Sequence, residues 1–161
     1  MNRRVLTPVP SAAAAPPTAA TEAAFEESAD ILARTLWGEA RGESVRGIEA
    51  VAAVVLNRVA VARARGGFWW GGSVADVCRK PRQFSCWNEG DPNRVKLLAV
   101  GANDPVFNTC RRIARRAVAG LLDDPTGGAT HYHARGIEPR WAVGRSPCAE
   151  IGRHLFYREI A

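Results

Sequence analysis

The segment from Val45 to Ala64 constrains the fold more than any other part of the chain. Ile48, Val51, Ala52, Val55 and Val59 recur there at helical spacing, so one face of a long helix must be buried. A stripe of that length needs partners, and the flanking sequence supplies them. Ser28 to Trp37 reads as an earlier helix, capped by Ser28, with Ile31, Leu32, Thr35 and Leu36 on one face. Asp104 and Pro105 form an N-cap and first-turn pair for a later helix running to about Leu122. Val106, Ile113, Ala117, Leu121 and Leu122 are its expected buried side, and Pro125, Gly127 and Gly128 end it. Between these helices, Arg65 to Gly72 sets glycines around Phe68-Trp69-Trp70 and reads as an exposed aromatic loop. Ser73 then caps a short helical turn through Cys78. Ala129 to Ala134 and His154 to Arg158 alternate polar and apolar residues and are expected to pair as two short strands. The expected fold is mainly α, of the α+β kind, with a small β-hairpin or short sheet near its C-terminal end.

The folded domain is expected over 25–161. Residues 1–24 are rich in Ala, Pro and Thr and hold few large apolar groups, so they read as a flexible tail or linker. Met1-Asn2-Arg3-Arg4 resembles the start of a signal peptide, but Pro8, Pro10 and Pro16-Pro17 break up the stretch after it, and no cleavable signal is expected. No apolar run approaches the length a membrane-spanning helix needs. The net charge of +6 favours anionic partners: a cell wall, a membrane surface or nucleic acid. No run of five or more basic residues and no nucleic-acid-binding motif supports the last. Four cysteines, Cys78, Cys86, Cys110 and Cys148, permit two disulfides. The short spacing favours Cys78 with Cys86, leaving Cys110 with Cys148; such bonds would imply an oxidising compartment. The alternative is four reduced, buried thiols.

Glu39 is the first candidate for chemistry. It follows an apolar helix and stands beside Trp37 and Gly38. Burial disfavours the charged form of a carboxyl, and a retained proton is what a general acid needs. The competing reading is a solvated carboxylate at a helix end. Glu43, one turn further, either shares a face with Glu39 or serves the first turn of the next helix, where negative charge is favoured.

A wider pattern surrounds Glu39. It comprises Trp37-Gly38-Glu39-Ala40-Arg41-Gly42-Glu43, Gly47, Ala50-Val51-Ala52 and Val54-Val55-Leu56-Asn57-Arg58-Val59. It continues through Gln83-Phe84-Ser85, His131-Tyr132-His133, Pro139, Trp141 and the closing Ile151-Gly152-Arg153-His154-Leu155-Phe156-Tyr157. This pattern resembles the cell wall hydrolases of the SleB type, which include spore-cortex-lytic enzymes and related phage or prophage lysins. The resemblance covers essentially all of 30–160.

The resemblance implies a lysozyme-like, lytic-transglycosylase-like domain acting on peptidoglycan. It implies cleavage of the β-1,4 bond between N-acetylmuramic acid and N-acetylglucosamine, with Glu39 as the single catalytic carboxyl and no cofactor. The product is either a 1,6-anhydro sugar or a hydrolysed reducing end. Gln83 and Ser85 suit a loop that binds N-acetyl or hydroxyl groups. Tyr132 either reaches the cleft or lies in the core, Trp141 either stacks on a sugar or is structural, and Glu43 is an orienting residue. Asn57 is expected to satisfy a loop group. The work would lie in the cell envelope, the periplasm or outside the cell, and the tail suits attachment to an envelope assembly or a phage-like particle. Two rivals remain. One is a zinc amidase or peptidase using His131 and His133 with His154 or Cys148. The other is a non-catalytic wall-binding or virion structural module.

Overall fold

The computed structural model describes residues 14–160, so the expectation for the first part of the tail lies outside the described residues. The first helix, α1 (Ala19–Ala40), starts well before Ser28. Its N-cap is Thr18, whose Oγ1 accepts from the Thr21 amide at 3.3 Å. The alanines that cannot build a core are the best helix formers, and they extend the helix as exposed turns. Burial begins near Phe25, where the Arg115 guanidinium lies 5.2 Å from the ring centroid and pairs with Glu26 at 2.6 Å.

Helix α2 (Val45–Ala64) has the bounds its stripe predicts, with Ser44 accepting from the Gly47 amide at 3.2 Å as cap. Ser73 and Asp76 form a reciprocal capping box on α3 (Val74–Arg79). A single 3-10 turn follows at Ser85–Trp87. Helix α4 (Pro92–Ala99), unassigned from sequence, carries the same Asp-Pro start signal as α5 (Pro105–Val118). Helix α5 stops at Val118, before the expected Leu122. Gly120 turns the chain away at φ 74°, a left-handed conformation that suits glycine, and Leu121 is left 68% exposed.

Helices α1, α2, α3 and α5 bury Leu32, Leu36, Val51, Val55, Val77 and Ile113 among them. Trp70 belongs to this core, contrary to the expected exposed loop: it is 2% exposed, and its indole N–H donates to the Arg58 carbonyl at 2.9 Å. Phe68 is half-buried beside it, and only Trp69 stays out, at 51%. The sheet holds β1 (His131–Ala134), β2 (Ala149–Ile151) and β3 (His154–Tyr157) in the order β1-β3-β2, all antiparallel. The middle strand is thus the expected second strand, and β2 is the addition. Ala50 and Val54 of α2 pack with Ala129, Ile151 and Phe156 and fasten the sheet to the helices.

The expected disulfides are absent: all four cysteines are free. Cys78, Cys86 and Cys110 are buried as small apolar groups, and Cys148 hydrogen-bonds the Thr126 carbonyl at 3.2 Å. Spacing along the chain suggested a Cys78–Cys86 bond, but packing gives each thiol its own niche. Four free thiols place no demand for an oxidising compartment on the fold.

Candidate active site

Glu39 lies in the last turn of α1, half-buried where the 3-10 turn and β1 converge. Gly38 makes the approach possible. A Cβ there would stand 2.7 Å from the Cys86 Cβ and 2.8 Å from its Sγ, so only glycine lets the turn come this close. The Cys86 amide then donates to Glu39 Oε1 at 3.3 Å. From the sheet side, the Tyr132 hydroxyl donates to Oε2 at 3.2 Å. Both carboxylate oxygens are therefore held, by donors from two different elements. Burial, and next the Glu39 charge, push the Tyr132 phenol well above its ordinary range, so it stays a proton donor. Its ring is braced edge-on by His154 at 5.0 Å and by Phe156 at 5.7 Å.

Arg58 lies near enough to Tyr132 for its charge to act on the phenol. It is 5% exposed and flanked by the Trp70 and Phe84 rings, each 5.5 Å from the guanidinium. Its Nε donates to the Thr130 carbonyl at 2.7 Å, and its Nη1 to Gln83 Oε1 at 3.3 Å. It thereby ties β1 to the loop that carries Gln83. Burial lowers its affinity for the proton, but from a value of 12.5 it remains a cation at neutral pH. Sequence reasoning missed both Arg58 and the Cys86 amide. An arginine inside the apolar stripe of α2 was the available signal for the first; a backbone donor leaves no signal at all.

Tyr132 is brought to Glu39, Gln83 is tied to Arg58, and Ser85 sits exposed at the start of the turn next to Cys86. Glu43 is turned elsewhere. Its side chain is 5% exposed, and it accepts from Arg153 Nε at 3.0 Å and from the Arg153 amide at 3.3 Å. It locks the α1–α2 connection onto the β2–β3 hairpin. Asn57 donates to the Ala129 carbonyl at 2.9 Å and to Asp124 at 3.0 Å, the loop-satisfying role its position suggested. Trp141 packs against His131, His133 and Tyr157, with ring centroids 5.2, 5.7 and 5.3 Å away. The strand period of two puts this group on the sheet face opposite Tyr132.

The same period works against the rival histidine metal set. His131 and His133 share the Trp141 face, whereas His154 pairs with Ala134 and shares the face of Tyr132. His133 Nε2 meets the Tyr157 hydroxyl at 3.0 Å, and His131 Nδ1 meets Thr130 Oγ1 at 3.0 Å. Burial, then the Arg58 charge, bring His131 down to about 4, so it packs as a neutral ring. Among the described residues, no three His, Cys, Asp or Glu side chains gather as a metal site.

A family model described as Cell Wall Hydrolase matches residues 42–157, most of the chain. The chain belongs to the cell wall hydrolase family. The matched span opens just after Glu39, so the carboxyl lies at its border. The spore cortex-lytic enzyme of Bacillus cereus is 30% identical over 129 residues, which are 78% of this chain and 42% of that protein. The spore cortex-lytic enzyme of Halalkalibacterium halodurans is 32% identical over 129 residues, 33% of its length. The chain thus spans well under half of the curated relatives it matches. The catalytic domain of the Bacillus cereus SleB protein superposes with a TM-score of 0.63 at 28% identity, covering 83% of this chain and 91% of that domain. The catalytic domain of the germination-specific lytic transglycosylase SleB from Bacillus anthracis gives the same score and identity, with 95% of it covered. This family member thus matches those two domains over most of their length and shares their mainly helical fold with its small sheet.

Proposed function

We propose that this cell wall hydrolase cuts peptidoglycan glycan strands between N-acetylmuramic acid and N-acetylglucosamine, with Glu39 as its one acid and base. The observation that carries this reading is the carboxyl held at both oxygens, by the Cys86 amide and the Tyr132 hydroxyl. In the first step Glu39 gives its proton to the glycosidic oxygen while the bond from that oxygen to C1 of muramic acid breaks. N-acetylglucosamine leaves with a free 4-hydroxyl, and the two donors stabilise the carboxylate that remains. In the second step the C6 hydroxyl of the muramic acid attacks its own C1, and Glu39 takes back the hydroxyl proton. The product is a 1,6-anhydro sugar; no water is consumed, and Glu39 ends protonated.

A lone carboxyl is enough for this route because the substrate supplies the nucleophile, whereas most glycosidases pair two carboxylates. Glu43 is bound to Arg153, and Asp91 caps α4. The name of the Bacillus anthracis domain, a lytic transglycosylase, adds support for the anhydro product over hydrolysis. Gln83, oriented by Arg58, and the exposed Ser85 are the polar groups available to the sugar substituents. Such a substrate sets the enzyme to work outside the cytoplasm, in the cell envelope or beyond it.

The test is digestion of purified sacculi by wild type and Glu39→Gln. The variant should lose activity while keeping its fold, and equal digestion by both would remove Glu39 from the chemistry. Mass spectrometry of the released muropeptides should show anhydro ends, lighter by one water than hydrolysed ends.

A further inference from the structure

A groove lies between the aromatic loop after α2 and the end of α3, with a cavity of about 430 Å³ lined by Phe68, Trp69, Trp70, Arg79, Lys80 and Pro81, among others. Its wall is rigid. Trp70 is buried and pinned by its hydrogen bond to the Arg58 carbonyl, and Phe68 packs on it at 4.1 Å. Arg65 covers the Phe68 ring from 4.7 Å. On this platform stands Trp69, 51% exposed, 5.4 Å from the Trp70 ring and 6.2 Å from Phe68. An indole fixed from below and open above offers a flat apolar face whose ordering cost is already met. Two cations border it. Arg79, whose guanidinium lies 5.4 Å from the Trp87 ring centroid, and Lys80 form no ion pair among the described residues, while the one carboxylate of the lining, Asp76, is taken by the Ser73 amide.

The groove lies a short stretch of chain away from Glu39. Lys80 and Pro81 border it, and a few residues on, the same segment delivers the Cys86 amide to Glu39. Six residues span at most about 20 Å, the reach of a few sugar rings. Arg58 ties the same segment to the groove wall, lying over Trp70 and bonding Gln83, and its charge acts on Tyr132.

We propose that this groove is a distal subsite for the glycan strand being cut at Glu39, in which one N-acetylated sugar ring stacks on Trp69 and a carboxylate of its lactyl or peptide substituent meets Lys80 and Arg79. The chemistry matches feature by feature. A pyranose ring has an apolar face for the indole, and muramic acid with its stem carries the negative charge the cations require. The inference rests on the reading of this enzyme as glycan-cleaving, and its test is one of binding, so the two fail separately.

The test uses the Glu39→Gln background, so that strands are not consumed. Binding of uncrosslinked glycan strands carrying peptide stems, and of a neutral N-acetylglucosamine hexamer, is measured by calorimetry with and without Trp69→Ala or Lys80→Glu. Trp69→Ala should weaken both ligands at least about fivefold, the loss typical of truncating an aromatic anchor. Lys80→Glu should weaken the stem-bearing strands and leave the hexamer unchanged. Trp69 is exposed and Lys80 half-buried at the groove edge, and melting temperatures of both variants are measured to separate binding from folding. Trp69→Ala binding both ligands as tightly as its parent overturns the subsite. A Lys80→Glu effect equal on the two ligands, or absent from both, overturns its carboxylate half. Neither result depends on whether Glu39→Gln digests sacculi.

Discussion

Replacing Tyr132 by phenylalanine removes one oxygen and tests how Glu39 is held. The lost group is a hydroxyl that donates to Glu39 Oε2 at 3.2 Å. Hydrogen bonds to charged groups contribute about 1.5–3 kcal/mol, and a bond at the long end of the range belongs to the lower half. On the proposed mechanism the loss matters most once Glu39 has given up its proton, since the donor then faces a full negative charge. A loss of about 1.5 kcal/mol in the transition state lowers kcat/KM roughly 10-fold. The ring keeps its contacts with His154 and Phe156, so the fold should hold. The assay is initial-rate clearing of purified sacculi, with circular dichroism and melting temperature as controls. A Tyr132→Phe enzyme within about twofold of wild type, well short of that loss, would refute the reasoning. The Tyr132 hydroxyl would then be a spectator.

Other consequences can be measured as directly. Burial alone would raise the Glu43 carboxyl, but the Arg153 side-chain and backbone hydrogen bonds, with the charges of His154 and Arg153, hold it below its ordinary 4.5. A lowered carboxylate stabilises the fold above its unfolded value and loses that contribution as pH falls through the folded one. Melting temperatures of wild type and Glu43→Gln should therefore differ near pH 6 and converge toward about pH 3; a gap constant across that range would contradict the pairing. Gly38→Ala should cost about 1–3 kcal/mol, because its Cβ must displace Cys86, and sacculus clearing should fall with it. Burial pushes Cys78 and Cys110 up to about 12, so a thiol reagent should label Cys148 first in the native protein and all four cysteines after denaturation. Because the histidines are split across the sheet, EDTA should leave sacculus digestion intact; loss restored by zinc would overturn that reading.

The chain itself determined the helical frame. The stripe of α2 predicts both its ends, because burying a helix face demands the same 3.6-residue period in sequence and in space. Local start signals at Ser73 and Asp104 placed the beginnings of α3 and α5, since a cap acts within one turn. Helix ends set by backbone conformation were harder to read, as Gly120 shows by ending α5 early. What depended on packing was not legible at all. The burial of Trp70, the separation of the four thiols and the division of the histidines between two sheet faces arise from how the elements meet. Glu39 stands at that boundary. Its position after an apolar helix nominated it, and the residue pattern around it strengthened the nomination. Its two donors come from Cys86 and Tyr132, far along the chain, and only tertiary contact at Gly38 brings the first of them within reach.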